Sequence, residues 1–264
     1  MTARPEILVH RDAEVLAQAV AARLITRLVD VQSARGGVPD AAGGGTHVVL
    51  TGGTVGIKTL AAVASSPARD AVDWSALHVW WGDERFLPSG HPERNETQAR
   101  DALLSGLVTE GLLSESRIHA MPAADSIGIT PEQAAEQYAV ELAKFAGPDD
   151  EVGVPAFDVL MLGMGPDGHV ASLFPELPAI HVKDHTVVGV HGSPKPPPLR
   201  VSLTLPALQA AREVWVIAAG AEKAEVTQLA LSGTEPVRIP AAGALGRNRT
   251  LWLVDRAAAS GLAP

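Results

Sequence analysis

The sequence predicts a three-layer α/β fold, a mostly parallel, Rossmann-like sheet with helices on both faces. Two observations predict it. Short apolar runs of strand length alternate along the chain with segments whose apolar residues keep helical spacing. The polar clusters at 51–54, 83–85, 167–169 and 220–223 fall beyond the ends of apolar runs. That is where open parallel sheets bind ligands, at the carboxyl ends of their strands. No internal repeat and no long linker divides the 264 residues, so one domain over 1–264 is expected.

Taken in order, Glu6 to His10 reads as a strand, and Asp12 can cap a helix. Its apolar positions Val15, Leu16, Ala19, Val20, Leu24, Ile25 and Leu28 keep a helical period. Glycines at 36–37 and 43–45 bracket a loop, and His47 to Leu50 is the next strand. A helix over about 57–64 follows Thr51-Gly52-Gly53-Thr54, and Leu77 to Trp81 is a strand ending in Gly82-Asp83-Glu84-Arg85. Asn95 to Leu107 reads as a helix. Thr130-Pro131-Glu132-Gln133 places a hydroxyl at the cap, proline first and glutamine third, which starts a helix running to Phe145 and closed by Gly147-Pro148. Further strands are expected at 157–162, 186–190, 214–219 and 250–254, with a helix over 221–231.

Composition narrows the chemistry. Hydrophobic residues make up 46% and charged ones 19%, as in ordinary globular proteins. A net charge of -9 without a Lys/Arg cluster argues against nucleic acid, since neutralising phosphates needs a basic patch. A small anionic ligand stays compatible, because a few cations in a pocket outweigh distant charge. There are no cysteines, which excludes disulfides, thiol catalysis and cysteine-ligated zinc. No apolar run is long enough to span a bilayer and the first residues lack a signal-like apolar core, so a cytoplasmic protein is expected.

The most informative stretch is Gly163 to Pro175, Gly-Met-Gly-Pro-Asp-Gly-His-Val-Ala-Ser-Leu-Phe-Pro, which follows an apolar run. It presents Asp167 and His169 two residues apart on a glycine-rich turn. A histidine, with an ordinary pKa of about 6.5, takes a proton near neutrality, and a neighbouring carboxylate orients its ring. Gly163, Gly165 and Gly168 also spell the dinucleotide fingerprint. That motif needs a helix of several turns, which Pro175 and Pro178 break, and Asp167 would repel the pyrophosphate.

Other clusters fit an anion. Glycines at Thr51-Gly52-Gly53-Thr54 let backbone N–H groups approach a phosphate, although a tight turn needs glycine anyway. Asp83-Glu84-Arg85 directly follows a Trp-rich strand. Lys223, after Gly220 at a helix start, opposes the helix dipole unless an anion is bound beside it. Arg200 follows the short proline-rich segment 194–198, whose prolines and Lys195 read as a stiffened loop edge.

Together these segments resemble the 6-phosphogluconolactonase family. The resemblance rests on Thr51-Gly52-Gly53, Asp83-Glu84-Arg85, Asn95, Gly163–Pro175, Arg200 with Ser202 and Thr204, and Gly220 with Lys223, and it spans about 46–255. The family turn usually reads Ser/Thr-Gly-Gly-Ser-Thr-Pro, whereas this chain has Val55 and Gly56 in the last two places, so Thr54 and the backbone must serve there. The related glucosamine-6-phosphate deaminases share the architecture. They resemble Asp-Glu-Tyr at 83–85 and carry a carboxylate-bearing Phe-Asn-Glu-Pro segment where this chain has Phe174. An isomerisation with amine loss needs carboxylate bases, whereas lactone hydrolysis needs an activated water and a stabilised oxyanion.

The resemblance implies the glucosamine-6-phosphate isomerase fold and hydrolysis of 6-phospho-D-glucono-1,5-lactone, without metal or cofactor. It implies His169 as general base, Asp167 orienting it and Arg85 stabilising the oxyanion. Thr51, Gly52, Gly53, Thr54, Asp83, Asn95, Arg200 and Lys223 would bind substrate and its phosphate. The expected partner is a phosphosugar lactone, and the expected state a monomer or weak homodimer. The alternatives are a deaminase-like enzyme and a non-catalytic sugar-phosphate binder, the latter having no need of His169.

Overall fold

A computed structural model describes residues 4–35, 45–125, 128–147 and 152–262. The glycine-bracketed loop at 36–44 and the helix stop at Pro148 lie outside the described residues. In chain order the elements are β1 (Glu6–His10), α1 (Ala13–Ala34), β2 (Thr46–Leu50), α2 (Gly53–Ser65), β3 (Leu77–Trp81) and β4 (Asp83–Arg85). Then α3 (Asn95–Ala99) runs through a π turn at Arg100–Leu104 into α4 (Ser105–Thr109). After α5 (Pro131–Ala143) come β5 (Val159–Gly163), β6 (Val187–Val190), β7 (Arg200–Leu203) and α6 (Leu205–Gln209). The chain closes with β8 (Glu213–Ala218), α7 (Ala224–Leu231) and β9 (Arg249–Asp255).

Six strands form one sheet in the order β1-β9-β8-β5-β2-β3. Every neighbouring pair in it is parallel. Every residue of β2, β3 and β8 is buried, as parallel strands covered on both faces require. Trp80, Trp81, Trp215 and Trp252 fill the space between sheet and helices. Helix α1 buries Leu16, Val20, Leu24 and Leu28 along one stripe and packs against α2. Its predicted cap is present, with Asp12 accepting from Val15 N–H at 2.9 Å. The capping box of Thr130 and Gln133 also forms at the start of α5.

The structure departs from the sequence reading in four places. The strand expected at 186–190 does not join the parallel sheet; as β6 it pairs antiparallel with β7, which pairs antiparallel with β4. Strand β4 leaves β3 through Gly82, whose carbonyl accepts from Leu203 N–H at 2.8 Å, so this small sheet hangs from the ligand-binding edge of the large one. Strands β4 and β7 were not foreseen because Asp-Glu-Arg and Arg-Val-Ser-Leu are too short and polar to carry a period. Helix α2 starts at Gly53, four residues before the expected start at about Ile57. Residues 221–223 form a 3₁₀ turn before α7. After Gly163 no helix follows within 164–177, so the dinucleotide geometry is absent there. Among the described residues no helix is long and apolar enough to cross a membrane.

Away from the carboxyl edge, three buried histidines stack on the sheet. Arg117 can only donate, so its 2.6 Å contact makes His78 Nε2 an acceptor. His78 Nδ1–H then donates to His119 Nε2 at 2.8 Å, and His119 Nδ1–H donates to Glu141 at 2.9 Å. His47 stacks on His78 with ring centroids 4.7 Å apart. Burial, followed by the neighbouring His47, Arg117 and His119, pushes the His78 pKa down to about 3. The unfolded chain binds that proton at about 6.5. Between these values the unfolded state holds more protons, so stability is lost as pH falls, by about 1.4 kcal/mol per pH unit from this one group. Denaturant unfolding at pH 6.0, 5.0 and 4.0 should show that slope, and His78→Gln should flatten it. Equal slopes in the two proteins would place the acid sensitivity elsewhere.

Candidate active site

A cavity of about 550 Å³ opens at the carboxyl ends of β2, β5, β8 and β9, with Asp83, Arg85 and Arg200 of the small sheet on its wall. Its centre is the switch point of the large sheet, because β3 lies on one side of β2 and β5 on the other. The two diverging ends are tied together, since Gly163 N–H donates to Thr51 Oγ1 at 3.0 Å. Helix α2 begins on this wall with Gly52 as its cap and no side-chain partner for its first N–H groups. Its first turn carries no acidic residue. A 13-residue helix offering free N–H groups and a positive dipole end suits a phosphate. Gly56, in the place of the family proline, sits where a Cβ would meet Thr51 O at 2.6 Å.

His169 stands on the same wall, its side chain only 14% exposed. Its Nδ1 lies 2.5 Å from Asp167 Oδ1, a short hydrogen bond in which the ring N–H donates. Nε2 is thereby left to accept a proton. Burial opposes ionisation of Asp167, yet the hydrogen bond and attraction of His169, the charge of Lys195 and the His169 backbone N–H outweigh it and hold the carboxyl at about 2. Asp167 is therefore a fixed anion behind the ring. The fingerprint glycines serve this turn: a Cβ on Gly165 would lie 2.0 Å from the His169 ring, and Gly168 adopts a φ of 80°. Phe174 packs against the His169 ring with centroids 4.5 Å apart, and the Arg200 guanidinium lies 5.9 Å from the Phe174 ring centre.

The cations converge as well. The β4–β7 register sets Arg85 directly opposite Arg200. Like charges opposed across a strand pair are unfavourable without an anion between them. Arg85 gives Nη1 to Glu93 O at 2.5 Å, while its buried Nε has no hydrogen-bond partner among the described residues. Lys223 is held below the usual lysine range by burial, opposed by Glu222 and Asp167. Each lowered cation stores a desolvation cost that a bound anion relieves.

Of the residues named from sequence, Thr51, Gly52, Gly53, Thr54, Asp83, Arg85, Asn95, His169, Arg200 and Lys223 all line the cavity, with Asp167 behind His169. Arg200 differs from its expected use. Only 4% exposed, it donates Nε to Pro197 O at 3.2 Å and Nη2 to Lys195 O and Pro196 O at 3.0 and 3.1 Å. Its Nη1 lies 3.9 Å from Asp83 Oδ2. It clamps the proline-rich loop as much as it faces the cavity. That loop delivers Lys195, which the sequence reading passed over, to the cavity wall 3.9 Å from Asp167. Its signal was a single cation inside a proline run, five residues before a strand-borne arginine.

A family model described as glucosamine-6-phosphate isomerases/6-phosphogluconolactonase matches residues 11–252. The chain belongs to this family. It is 57% identical over 263 residues to a 6-phosphogluconolactonase of Streptomyces coelicolor, covering 99% of this chain and 96% of that protein. Among solved structures, 6-phosphogluconolactonase from Trypanosoma brucei superposes with a TM-score of 0.81 at 27% identity, covering 98% of this chain and 99% of that one. A monomeric glucosamine-6-phosphate deaminase, 18% identical with a TM-score of 0.71 and coverage of 97% and 99%, shares the fold.

An anion held by this wall stabilises the folded state by mass action. Inorganic phosphate at ten times its Kd should add about 1.4 kcal/mol to the parent's stability. Lys223→Ala should lose most of this protection at the same phosphate concentration, as read by thermal unfolding. Undiminished protection in that variant would move the anion to another surface.

Proposed function

We propose that this protein hydrolyses 6-phospho-D-glucono-1,5-lactone to 6-phospho-D-gluconate, the lactone step in the oxidative branch of the pentose phosphate pathway. The observation that carries the reading is the His169 ring, oriented through Nδ1 by an ionised Asp167 and set in a wall of cations. The activity named for the Streptomyces relative supports the same substrate. Phe174 supports hydrolysis over deamination, because it places an aromatic ring against His169 where the deaminase pattern carries a carboxylate.

In the reaction His169 Nε2 takes a proton from water as the water oxygen adds to the lactone carbonyl carbon. Arg85 stabilises the negative charge that forms on the carbonyl oxygen. The tetrahedral intermediate collapses by breaking the bond to the ring oxygen, and the imidazolium returns its proton to that oxygen. Water has then added across the ester bond, and the acid product ionises. Asp167 stays ionised throughout, orienting the ring and stabilising the imidazolium. The N–H groups opening α2, with Thr51, Thr54, Lys223 and Arg200, hold the phosphate, and Asp83 and Asn95 frame the sugar. We take the chain to act as one domain over 1–264, in the cytoplasm, without nucleic acid, as a monomer or weak homodimer.

Two measurements test this. The purified protein should accelerate loss of the phosphorylated lactone above its spontaneous hydrolysis and release no ammonia from glucosamine 6-phosphate, and the opposite pair of results would overturn the assignment. His169→Ala should cost roughly 10²–10⁴-fold in kcat, and His169→Asn should not restore it, because an amide cannot carry the proton. Near-normal kcat per folded molecule in either variant would remove His169 from the chemistry.

A further inference from the structure

Glu84, the central residue of Asp83-Glu84-Arg85, does not line the cavity, although both its neighbours do. It is 1% exposed, and its carboxylate collects three backbone N–H groups. Oε1 accepts from Arg85 at 2.8 Å and Asn95 at 2.7 Å, and Oε2 accepts from Glu96 at 2.9 Å. Arg94, wholly buried, stands 3.8 Å away as its counter-charge. A strand residue thus caps the helix that starts at Asn95, where the cap residue Arg94 has no side-chain oxygen to accept from the first N–H groups.

What this holds in place is the Asn95 side chain. Its Nδ2 donates to Asp83 O at 2.8 Å and reaches Asp83 Oδ1 at 3.4 Å. Its Oδ1 is buried without a hydrogen-bond partner and is pressed on the phosphate-side turn, where a Cβ on Gly52 would lie 1.9 Å from it. Exchanging the amide's oxygen and nitrogen would set an oxygen against Asp83 O and Oδ1, so the network fixes the orientation. Asp83 in turn accepts from Ser172 Oγ at 2.6 Å, three residues along the loop from His169. One chain of contacts therefore runs from Glu84 through Asn95 to the Gly52 turn, and through Asp83 to the loop that bears the base.

We propose that Glu84 is a positioning residue for the reaction, setting Asn95 as the spacer that fixes the Gly52 turn and Asp83 around the substrate. This rests on the reading of the cavity as the lactone site. A displacement of about 1 Å in such a frame costs up to about 10²-fold in rate.

The test is a double-mutant cycle in lactone hydrolysis with Glu84→Gln and Asn95→Ala. Glu84→Gln should lower kcat/KM roughly 10- to 100-fold per folded molecule. In the Asn95→Ala background the same change should cost less than about threefold, because the residue it positions is gone. Losses that multiply would overturn the proposal. Glu84→Asp keeps the charge opposite Arg94 but withdraws the carboxylate from the Asn95 and Glu96 N–H groups. It should show the same loss and the same coupling, and it carries the cycle if Glu84→Gln does not fold. Near-parental rates in Glu84→Asp would make Glu84 a charge partner only. The NMR signal of the Asn95 side-chain amide, identified by its absence in Asn95→Ala, separates this idea from the functional reading. A shifted signal in Glu84→Asp with an inactive parent sinks the lactone reading and leaves the positioning role. An unshifted signal sinks the positioning role whatever the activity.

Discussion

The hydrogen bond from Gly163 N–H to Thr51 Oγ1, 3.0 Å long, closes the one place where the large sheet opens. Strands β2 and β5 are neighbours, but the chain leaves them toward opposite edges of the sheet. Their carboxyl ends therefore diverge, and a crevice is unavoidable. The threonine hydroxyl bridges that gap while keeping a proton of its own to donate. Two walls of the cavity start from this point. On one side the chain enters α2 with its N–H groups exposed to the crevice, and on the other it enters the turn that carries Asp167 and His169.

Those two loops are held by opposite means. The His169 turn is packed so closely that a side chain at Gly165 has no room, and the imidazole is trapped between Asp167 and Phe174. Its geometry is set by exclusion. The cationic side is set by charge, with Lys195, Lys223, Arg85 and Arg200 brought to a common wall in a chain whose net charge is -9. Burial lowers Lys195, Lys223 and Arg200, each opposed by a nearby carboxylate. A cavity that keeps partly desolvated cations near ionised carboxylates is primed for an anionic ligand, because the ligand replaces lost hydration without moving the wall.

Polar burial elsewhere follows a stricter rule. Burial pushes Glu84 up to about 7, against the pull of Arg94 and three backbone N–H groups. Removing one partner of such a buried pair is costly, because the other charge is left uncompensated. In the histidine stack His78 and His119 obey the same rule, each ring donating once and accepting once along a line that begins at Arg117 and ends at Glu141. Both networks use polar groups to fix orientation, one at the edge of the cavity and one far from it.

Much of this was written locally. The alternation of apolar strands and periodic helices, the caps at Asp12 and Thr130, and the Gly163–Pro175 turn each depend on residues close together in the chain, so period and turn chemistry reveal them. The same locality exposed the Asp167–His169 pair, which is two residues apart. Other features depend on contacts between distant segments. The small antiparallel sheet joins residues 83–85 to 187–203, and its strands are too short to carry a period. Lys195 reaches the cavity on a loop whose carbonyls Arg200 holds, and Glu84 meets Asn95 across an excursion of 11 residues. The opposition of Arg85 and Arg200 is a matter of strand register. Sequence determined the kinds of element and the pairing of Asp167 with His169, since both arise from short-range sterics and hydrogen bonding. Only the tertiary structure decided which cations share a wall and which carboxylates stand behind it, because those distances are set by how the two sheets pack.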